Sequence, residues 1–572
     1  STMHEFGGDL FIGGNFDRIN GQSLPCVARW NGALTTAGSG LPVISRPSSG
    51  VRSLGVFRGR LIACGDFNHD HVLDLAAHYK RHPHRQKTLL SGETVVLYFN
   101  KPSTRTRISF ETAVARRFTM LGQCVGGSNV HWGAMSWRLR PDEFKALRQD
   151  GPTAGASLAD WPVDAVEMSP WYDKAEAAYG VAGGAVHNAP HPGKRYPNPP
   201  HPPRSGSRVF DRAVRKLGYT PFPIPLAVNS RPYRNRAGCT NSGMCVMFGC
   251  PVDAKASPIS VGLPRALATG RLDLRPASRV HELVVDAAGR VTAARYLDAK
   301  GRQHEVRARQ FIVAGGSLGS AHLLLMSRSG RFRDGLANGS GLVGRHLMYH
   351  VLPAVYYLHE TVTRGWLGPV SGQAIDDLHA SDPARGFVRG AVLTEAYPAT
   401  PVVYASSAGG LWGPALKDYL RQFNRVHALI GIGEDLPVHG NRVDLDPVHR
   451  DELGLPVWRI THAPHANDLK LKAYYEQKML EIAAAAGAER SWVVDMTQGS
   501  TGHLLGTCRM GVDAEKSVLD RWCRSHEVDN LWVVDGSCFP TSGGYNPTLT
   551  IVANAYRVAD RFIREARRLN LR

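Results

Sequence analysis

Two stretches near the C-terminal end carry residue types that could do proton chemistry. His503-Leu504-Leu505-Gly506-Thr507 sets an imidazole three residues before a glycine turn. Asp535-Gly536 ends the apolar run Leu531-Trp532-Val533-Val534, and a glycine-rich loop then delivers Asn546 and Pro547 just before an apolar helix. An imidazole titrates near working pH and can accept a proton, while a carboxamide can donate a hydrogen bond to the oxygen that loses it. The pair therefore fits a proton acceptor and a hydrogen-bond partner for a substrate hydroxyl. A loop histidine and a helix-capping asparagine would read the same way.

Positioning such a pair requires a sheet edge. A strand that ends in an acid and a turn, followed by a helix start, is where open α/β sheets place ligand contacts. Phe311-Ile312-Val313-Ala314-Gly315-Gly316-Ser317 repeats that grammar, a strand running into a glycine turn and then a helix over 320–327. Cys124-Val125-Gly126-Gly127-Ser128-Asn129 is a glycine-rich turn in which backbone can approach a flat or anionic ligand. Residues 280–286 and 291–296 read as a hairpin around Ala287-Ala288-Gly289-Arg290, and 441–447 and 455–460 as sheet segments. A helix is expected within 161–175 and a long loop over 181–205. Between about 346 and 500, alternating strands and loops predict an antiparallel sheet backed by a helix near 467–486.

The 572 residues suffice for several domains, and 43% apolar with 20% charged residues is an ordinary globular composition. No apolar run reaches bilayer-spanning length, so no transmembrane segment is expected. No secretory leader is visible, which leaves a periplasmic or a cytoplasmic setting. The net charge of +19 is spread along the chain without aromatic-interleaved basic blocks, which argues against nucleic acid. It fits a solvated basic surface, or a face for an acidic redox partner or a membrane surface. Nine cysteines at this length are not a disulfide scaffold.

The first 120 residues change character twice. Leu10-Phe11-Ile12-Gly13-Gly14-Asn15-Phe16 returns as Leu61-Ile62-Ala63-Cys64-Gly65-Asp66-Phe67. A period near fifty with glycine turns resembles the kelch-like blades of large secreted β-propellers. Residues 71–78 have helical spacing, and a strand over 94–99 then leads into Ser103, Thr104, Arg105, Thr106 and Arg107 before another helix start. Hydroxyls, amides and two guanidinium groups at a helix start form a phosphate cradle. Residues 71–117 resemble the carbamoyl-phosphate loop of ornithine and aspartate carbamoyltransferases, without that family's later histidine-proline segments.

From 121 to 570 the ordered motifs resemble the glucose–methanol–choline (GMC) oxidoreductases, close to the gluconate, fructose and glucose dehydrogenase large subunits. The resemblance implies an α/β plus α+β fold: a layered FAD-binding domain over 121–345 and 500–572, interrupted by an antiparallel-sheet substrate domain over 346–499. A β-rich fragment over 1–70 and a carbamoyltransferase-like fragment over 71–120 precede it. It further implies FAD as cofactor, with Gly126, Gly127, Ser128 and Asn129 along the flavin and Val280 on the adenine side. Ala314, Gly315, Asp535 and Gly536 would follow the dinucleotide, and Asn546, Pro547 and Thr548 would reach the ring. An alcohol, sugar or sugar acid would be oxidised at carbon, with His503 as base and Asn546 holding the alkoxide. A cytochrome or another acceptor would take the electrons.

Cys239, Cys245 and Cys250 lie in one short loop. Three thiolates could hold an iron–sulfur cluster, as in some glucose dehydrogenases of this branch, or a zinc with one further ligand. Buried or disulfide-paired cysteines are the other reading, and Thr240 stands where the cluster pattern has a cysteine. A dinucleotide domain should also open with a strand, a Gly-x-Gly-x-x-Gly turn and a helix, and no such unit occurs in residues 1–120. Two alternatives follow: an inactive chimeric reading frame unable to bind FAD, or a carbamoyl-phosphate-binding transferase fragment.

Overall fold

The computed structural model describes residues 121–184, 194–398, 400–408, 411, 413–496 and 502–568, and before them the backbone of ten strands between Thr2 and Leu97. The chain divides into two compact units, residues 1–118 with 409–412, and residues 119–408 with 413–572.

The first unit is built from hairpins. Thr2–Phe6, Asp9–Gly13, Val27–Trp30 and Leu34–Thr36 form an antiparallel sheet in that order. Val51–Phe57, Arg60–Gly65, Thr88–Ser91 and Thr94–Leu97 form a second, with one parallel contact at Gly65 and Ser91. Each copy of the sequence repeat enters on the second strand of a hairpin, Asp9–Gly13 or Arg60–Gly65. The helix expected over 71–78 and the anion loop of Ser103, Thr104, Arg105, Thr106 and Arg107 lie outside the described residues.

The second unit centres on an antiparallel sheet in the order Phe222–Pro223, Gln373–Ile375, Ala391–Ala396, Val426–Glu434, Ala354–Leu358, Arg490–Val493, with His350–Val351 also paired to Val426–Glu434. Strand residues alternate between two covered faces. Val355, Tyr357, Leu393 and Leu429 pack against the helices Ser205–Lys216 and Ala466–Ala485. Tyr356, Leu358, Ala396, Val426 and Ala428 face Tyr404, Tyr419 and Phe423 on the opposite side. The helix Ala466–Ala485 forms because Leu471, Tyr475, Met479 and Ile482 recur at helical spacing and are fully buried. Each such burial contributes roughly 1.5–3 kcal/mol. Its start is closed by a reciprocal cap, His465 on Asn467 N–H and Asp468 on His465 N–H.

The other elements frame this sheet. Arg279–Val285, Val291–Leu297 and Gln303–Arg307 make a three-stranded meander. The third of these strands is not foreseen by the sequence, because its residues are mostly exposed and carry no apolar alternation. Arg442–Arg450 pairs with Pro456–Thr461. Phe311–Val313 runs parallel to Leu531–Val533 and feeds the helix Gly316–Met326. Among the described residues Phe311–Val313 has no other strand partner, and Ile312 on its outer face is 57% exposed. The helix Thr548–Arg568 follows the Asn546 loop and packs on the helix Ala165–Tyr179.

Candidate active site

His503 is placed by strand register. Met348 and Leu505 exchange both backbone hydrogen bonds, at 2.9 and 3.0 Å. In an antiparallel pair, two residues further along one chain face two residues back along the other, so His350 comes opposite His503. The two Nδ1 atoms are 3.2 Å apart, with the rings edge to face at 88°. Gly506 makes this approach possible. Its φ is +72°, and a Cβ there would stand 1.9 Å from the His346 carbonyl oxygen. The turn is tied down by Thr507 Oγ1, which donates to Ser317 O at 2.8 Å.

The Asn546 loop is held from three sides. Gly543 O accepts from His350 Nε2 at 2.8 Å. Gly544 N donates to the buried carboxyl of Glu143 at 2.6 Å, and His379 Nε2 lies 3.2 Å from the same oxygen. The Tyr545 ring stacks on His379 with centroids 4.4 Å apart. A Cβ on Gly544 would meet His379 Cε1 at 2.4 Å, so a side chain cannot be added there. Asn546 then receives Trp137 Nε1–H on Oδ1 at 2.9 Å and turns Nδ2 toward His503 Nε2 at 3.2 Å.

Those contacts define the direction of every proton along the chain Trp137, Asn546, His503, His350, Gly543. An indole N–H only donates and a carbonyl only accepts, so both ends are fixed. His350 must carry its proton on Nε2, which leaves a lone pair on Nδ1. His503 therefore carries its proton on Nδ1 and presents a lone pair at Nε2. Burial, reinforced by the neighbouring His503, holds His350 well below the usual imidazole range. Desolvation lowers His503 to about 4, so both rings are neutral near neutral pH.

Charge around the loop is balanced by a buried network. Arg389 donates to Glu434 at 2.7 Å and to Asp150 at 2.8 Å. Burial pushes Glu143 up to about 8 against the pull of Arg389, so its carboxyl is largely protonated near neutral pH. Asp435, whose backbone is bonded to Ser542 Oγ, also accepts from Tyr349 N and lies 2.9 Å from His462 Nε2.

The structure brings together His503 with Asn546, and Ala314–Gly316 with Asp535. Asp535 accepts from Gly316 N and Ser320 Oγ on one oxygen, and from Ser537 N and Oγ on the other. Its carboxylate thus braces two strand ends, while Ala314 and Gly315 beside it are exposed. Gly536 sits against Leu504 O, which a Cβ would meet at 2.6 Å. Gly126 and Gly127 take φ of +92° and +60°, and Ser128 Oγ accepts from Gly122 N. Asn129 bonds the Tyr179 hydroxyl, and the turn runs on toward Trp137. Pro547 accepts the first helical bond of the last helix, from Ile551, with Thr548 as its first residue. Val280 is 39% exposed on its strand. Trp137, His350, Glu143 and His379 are not found by sequence reasoning. Their roles depend on register and long-range packing, for which no local signal exists.

The cysteine loop does not form a metal site. Among the described residues no group of three or more His, Cys, Asp or Glu is placed to hold a metal ion. Cys239, Cys245 and Cys250 are free thiols lining a small cavity beside Lys255. The Lys255 ammonium donates to three carbonyls, of Trp132, Cys245 and Phe248, so the loop is organised by a buried lysine. The iron–sulfur and zinc expectations are without support. No described helix is long and apolar enough to cross a membrane.

An imidazole lone pair and a carboxamide donor meet where a parallel strand pair adjoins an antiparallel sheet, and such a pair can accept a proton and donate a hydrogen bond. The GMC oxidoreductase family profiles match residues 106–352 and 437–555. The chain is 34% identical over 447 residues to 2-methyl-1,2-propanediol dehydrogenase of Mycolicibacterium austroafricanum, covering 76% of this chain and 80% of that protein. It is 31% identical to the fructose dehydrogenase large subunit of Gluconobacter japonicus, covering 77% and 80%. The structure of pyridoxine 4-oxidase from Mesorbium loti shares the fold, with a TM-score of 0.55 at 18% identity over 78% of this chain and 85% of that one. The chain belongs to the GMC oxidoreductase family. Residues 61–125 also match the aspartate/ornithine carbamoyltransferase carbamoyl-phosphate binding domain.

Proposed function

We propose that the chain is a FAD-dependent oxidoreductase that oxidises an alcohol carbon of a sugar, a sugar acid or another small alcohol. The observation that carries this reading is the His503–Asn546 pair, with a neutral imidazole lone pair 3.2 Å from a fixed carboxamide donor. Support for a flavin beside this pair comes from the glycine turn at 126–127. Gly127, at φ +60° with open space where a Cβ would stand, leaves backbone that a flat ring can approach, whereas the Cβ position of Gly126 is closed by Val130 at 2.9 Å and Ile259 at 3.1 Å, so Gly126 shapes the turn by packing. Gly126, Gly127, Ser128 and Asn129 would lie along the flavin, with Pro547 and Thr548 near the ring. Ala314, Gly315, Asp535 and Gly536 would follow the dinucleotide chain, and Val280 would lie on the adenine side. When bound, FAD supplies the acceptor for the substrate's hydride.

The chain's own residues handle the proton. A hydroxyl within reach of both His503 Nε2 and Asn546 Nδ2 gives its proton to Nε2, and His503 becomes an imidazolium. Asn546 donates to the oxygen as negative charge develops on it, where a preset donor matters most. Asparagine cannot take the proton itself, so the base role falls to His503.

A second reading, a chain unable to retain FAD, is favoured by the exposed outer face of Phe311–Val313 around Ile312. Parallel strands are normally covered on both faces. The absorption spectrum of the purified chain separates the readings. A stoichiometric flavin spectrum, with dye-linked turnover of 2-methyl-1,2-propanediol, fructose, gluconate or glucose, is expected. Protein that stays colourless after incubation with FAD would favour the second.

A further inference from the structure

We propose that His350 is a positioning residue that sets the tautomer of His503 and keeps its proton-accepting nitrogen turned toward the substrate. The inference rests on His503 acting as the base. A neutral imidazole has two tautomers, and only the one protonated on Nδ1 leaves Nε2 free to receive a proton beside Asn546. His350 selects it through two contacts. Its Nε2–H is committed to Gly543 O at 2.8 Å, and its Nδ1 lone pair faces His503 Nδ1 at 3.2 Å. Were His503 protonated on Nε2 instead, two lone pairs would face each other across a buried contact and its N–H would point at the Asn546 amino group. Both mismatches are costly away from water. His350 is 3% exposed, and burial keeps it neutral, so it does not compete for the proton. Once His503 has accepted the hydroxyl proton on Nε2, its Nδ1–H still donates to His350, and the imidazolium is held in place.

Two conservative variants separate this role from a merely structural one. Asparagine at 350 sets an oxygen acceptor near the place of Nδ1, and glutamine sets a donor near the place of Nε2. With histidine-selective 15N labelling of the full chain, the His503 resonances are assigned by their loss in His503→Ala. They should show a protonated Nδ1 and a lone pair on Nε2 in the wild-type protein and in His350→Asn, and a shift toward Nε2–H in His350→Gln. Flavin reduction by the alcohol should slow on the order of 100-fold in His350→Gln with KM little changed, and about threefold in His350→Asn. A wild-type His503 protonated on Nε2 would overturn the inference, as would the reverse order of the two variants, which is what a role confined to holding Gly543 predicts. Retained turnover in His503→Ala would overturn the base assignment beneath it. A His350→Gln protein matching the wild type beside an inactive His503→Ala would overturn the inference alone.

Discussion

Trp137 and Asn546 stand 409 residues apart and meet through one indole-to-carboxamide hydrogen bond of 2.9 Å. The indole can only donate, so this bond determines that the amide nitrogen, and not the oxygen, faces His503. Trp137→Phe keeps the ring and loses the donor. The amide can then turn over, and flavin reduction is expected to slow about tenfold with flavin content unchanged. An equal rate in the variant would show that the amide is oriented by other contacts.

Gly506→Ala tests the turn that delivers His503. The new Cβ would overlap the His346 carbonyl at 1.9 Å, on a backbone with φ +72°. Left-handed strain alone costs about 1–2 kcal/mol, and displacing the carbonyl adds to it. The variant should unfold at lower denaturant and lose flavin reduction. Wild-type values of both would mean the Met348–Leu505 pairing is looser than described.

Glu143 links stability to alkaline pH. Its folded pKa of about 8 lies above the ordinary carboxyl value, so the folded chain holds a proton that the unfolded chain gives up. Stability from this group is full at acid pH and is lost as pH rises toward about 8. Glu143→Gln mimics the protonated acid and does not titrate. Relative to the variant, the wild-type protein should lose thermal stability between about pH 5 and pH 9. A constant difference would contradict the assignment.

The buried histidines act on the acid side. Desolvation lowers His346 and His427 to about 3 and His503 to about 4, and His350 and His379 fall well below their usual range. In each case the unfolded chain binds the proton first, so this stability is present above about pH 6.5 and is lost as pH falls toward about 4 for His503 and about 3 for His346 and His427. Urea midpoints should drop steeply over that interval, and less steeply in His427→Gln. Equal slopes would remove His427 from the account.

Legibility in the sequence followed local signals. The helix Ala466–Ala485 was readable within a residue because Leu471, Tyr475, Met479 and Ile482 mark its buried stripe. The hairpin Arg279–Val285 with Val291–Leu297 was readable from its glycine turn. His503 and Asn546 stood out because each sits in a glycine-rich segment beside an apolar run. His350 did not, because it becomes a partner only through the Met348–Leu505 register. Trp137 and Glu143 carry no local signal, and only long-range packing brings them to the 543–546 loop. The strand Phe222–Pro223 is too short and proline-rich to carry a period, yet it extends the central sheet.

The most direct test of the account is anaerobic mixing of the flavin-loaded chain with its alcohol, followed by flavin bleaching. The half-reaction does not depend on the electron acceptor. With equal flavin content, His503→Ala is predicted to bleach at least about 100-fold more slowly than the wild-type protein, the contribution expected of a positioned base. Bleaching at the wild-type rate in His503→Ala would contradict the assignment of His503 as the residue that takes the hydroxyl proton.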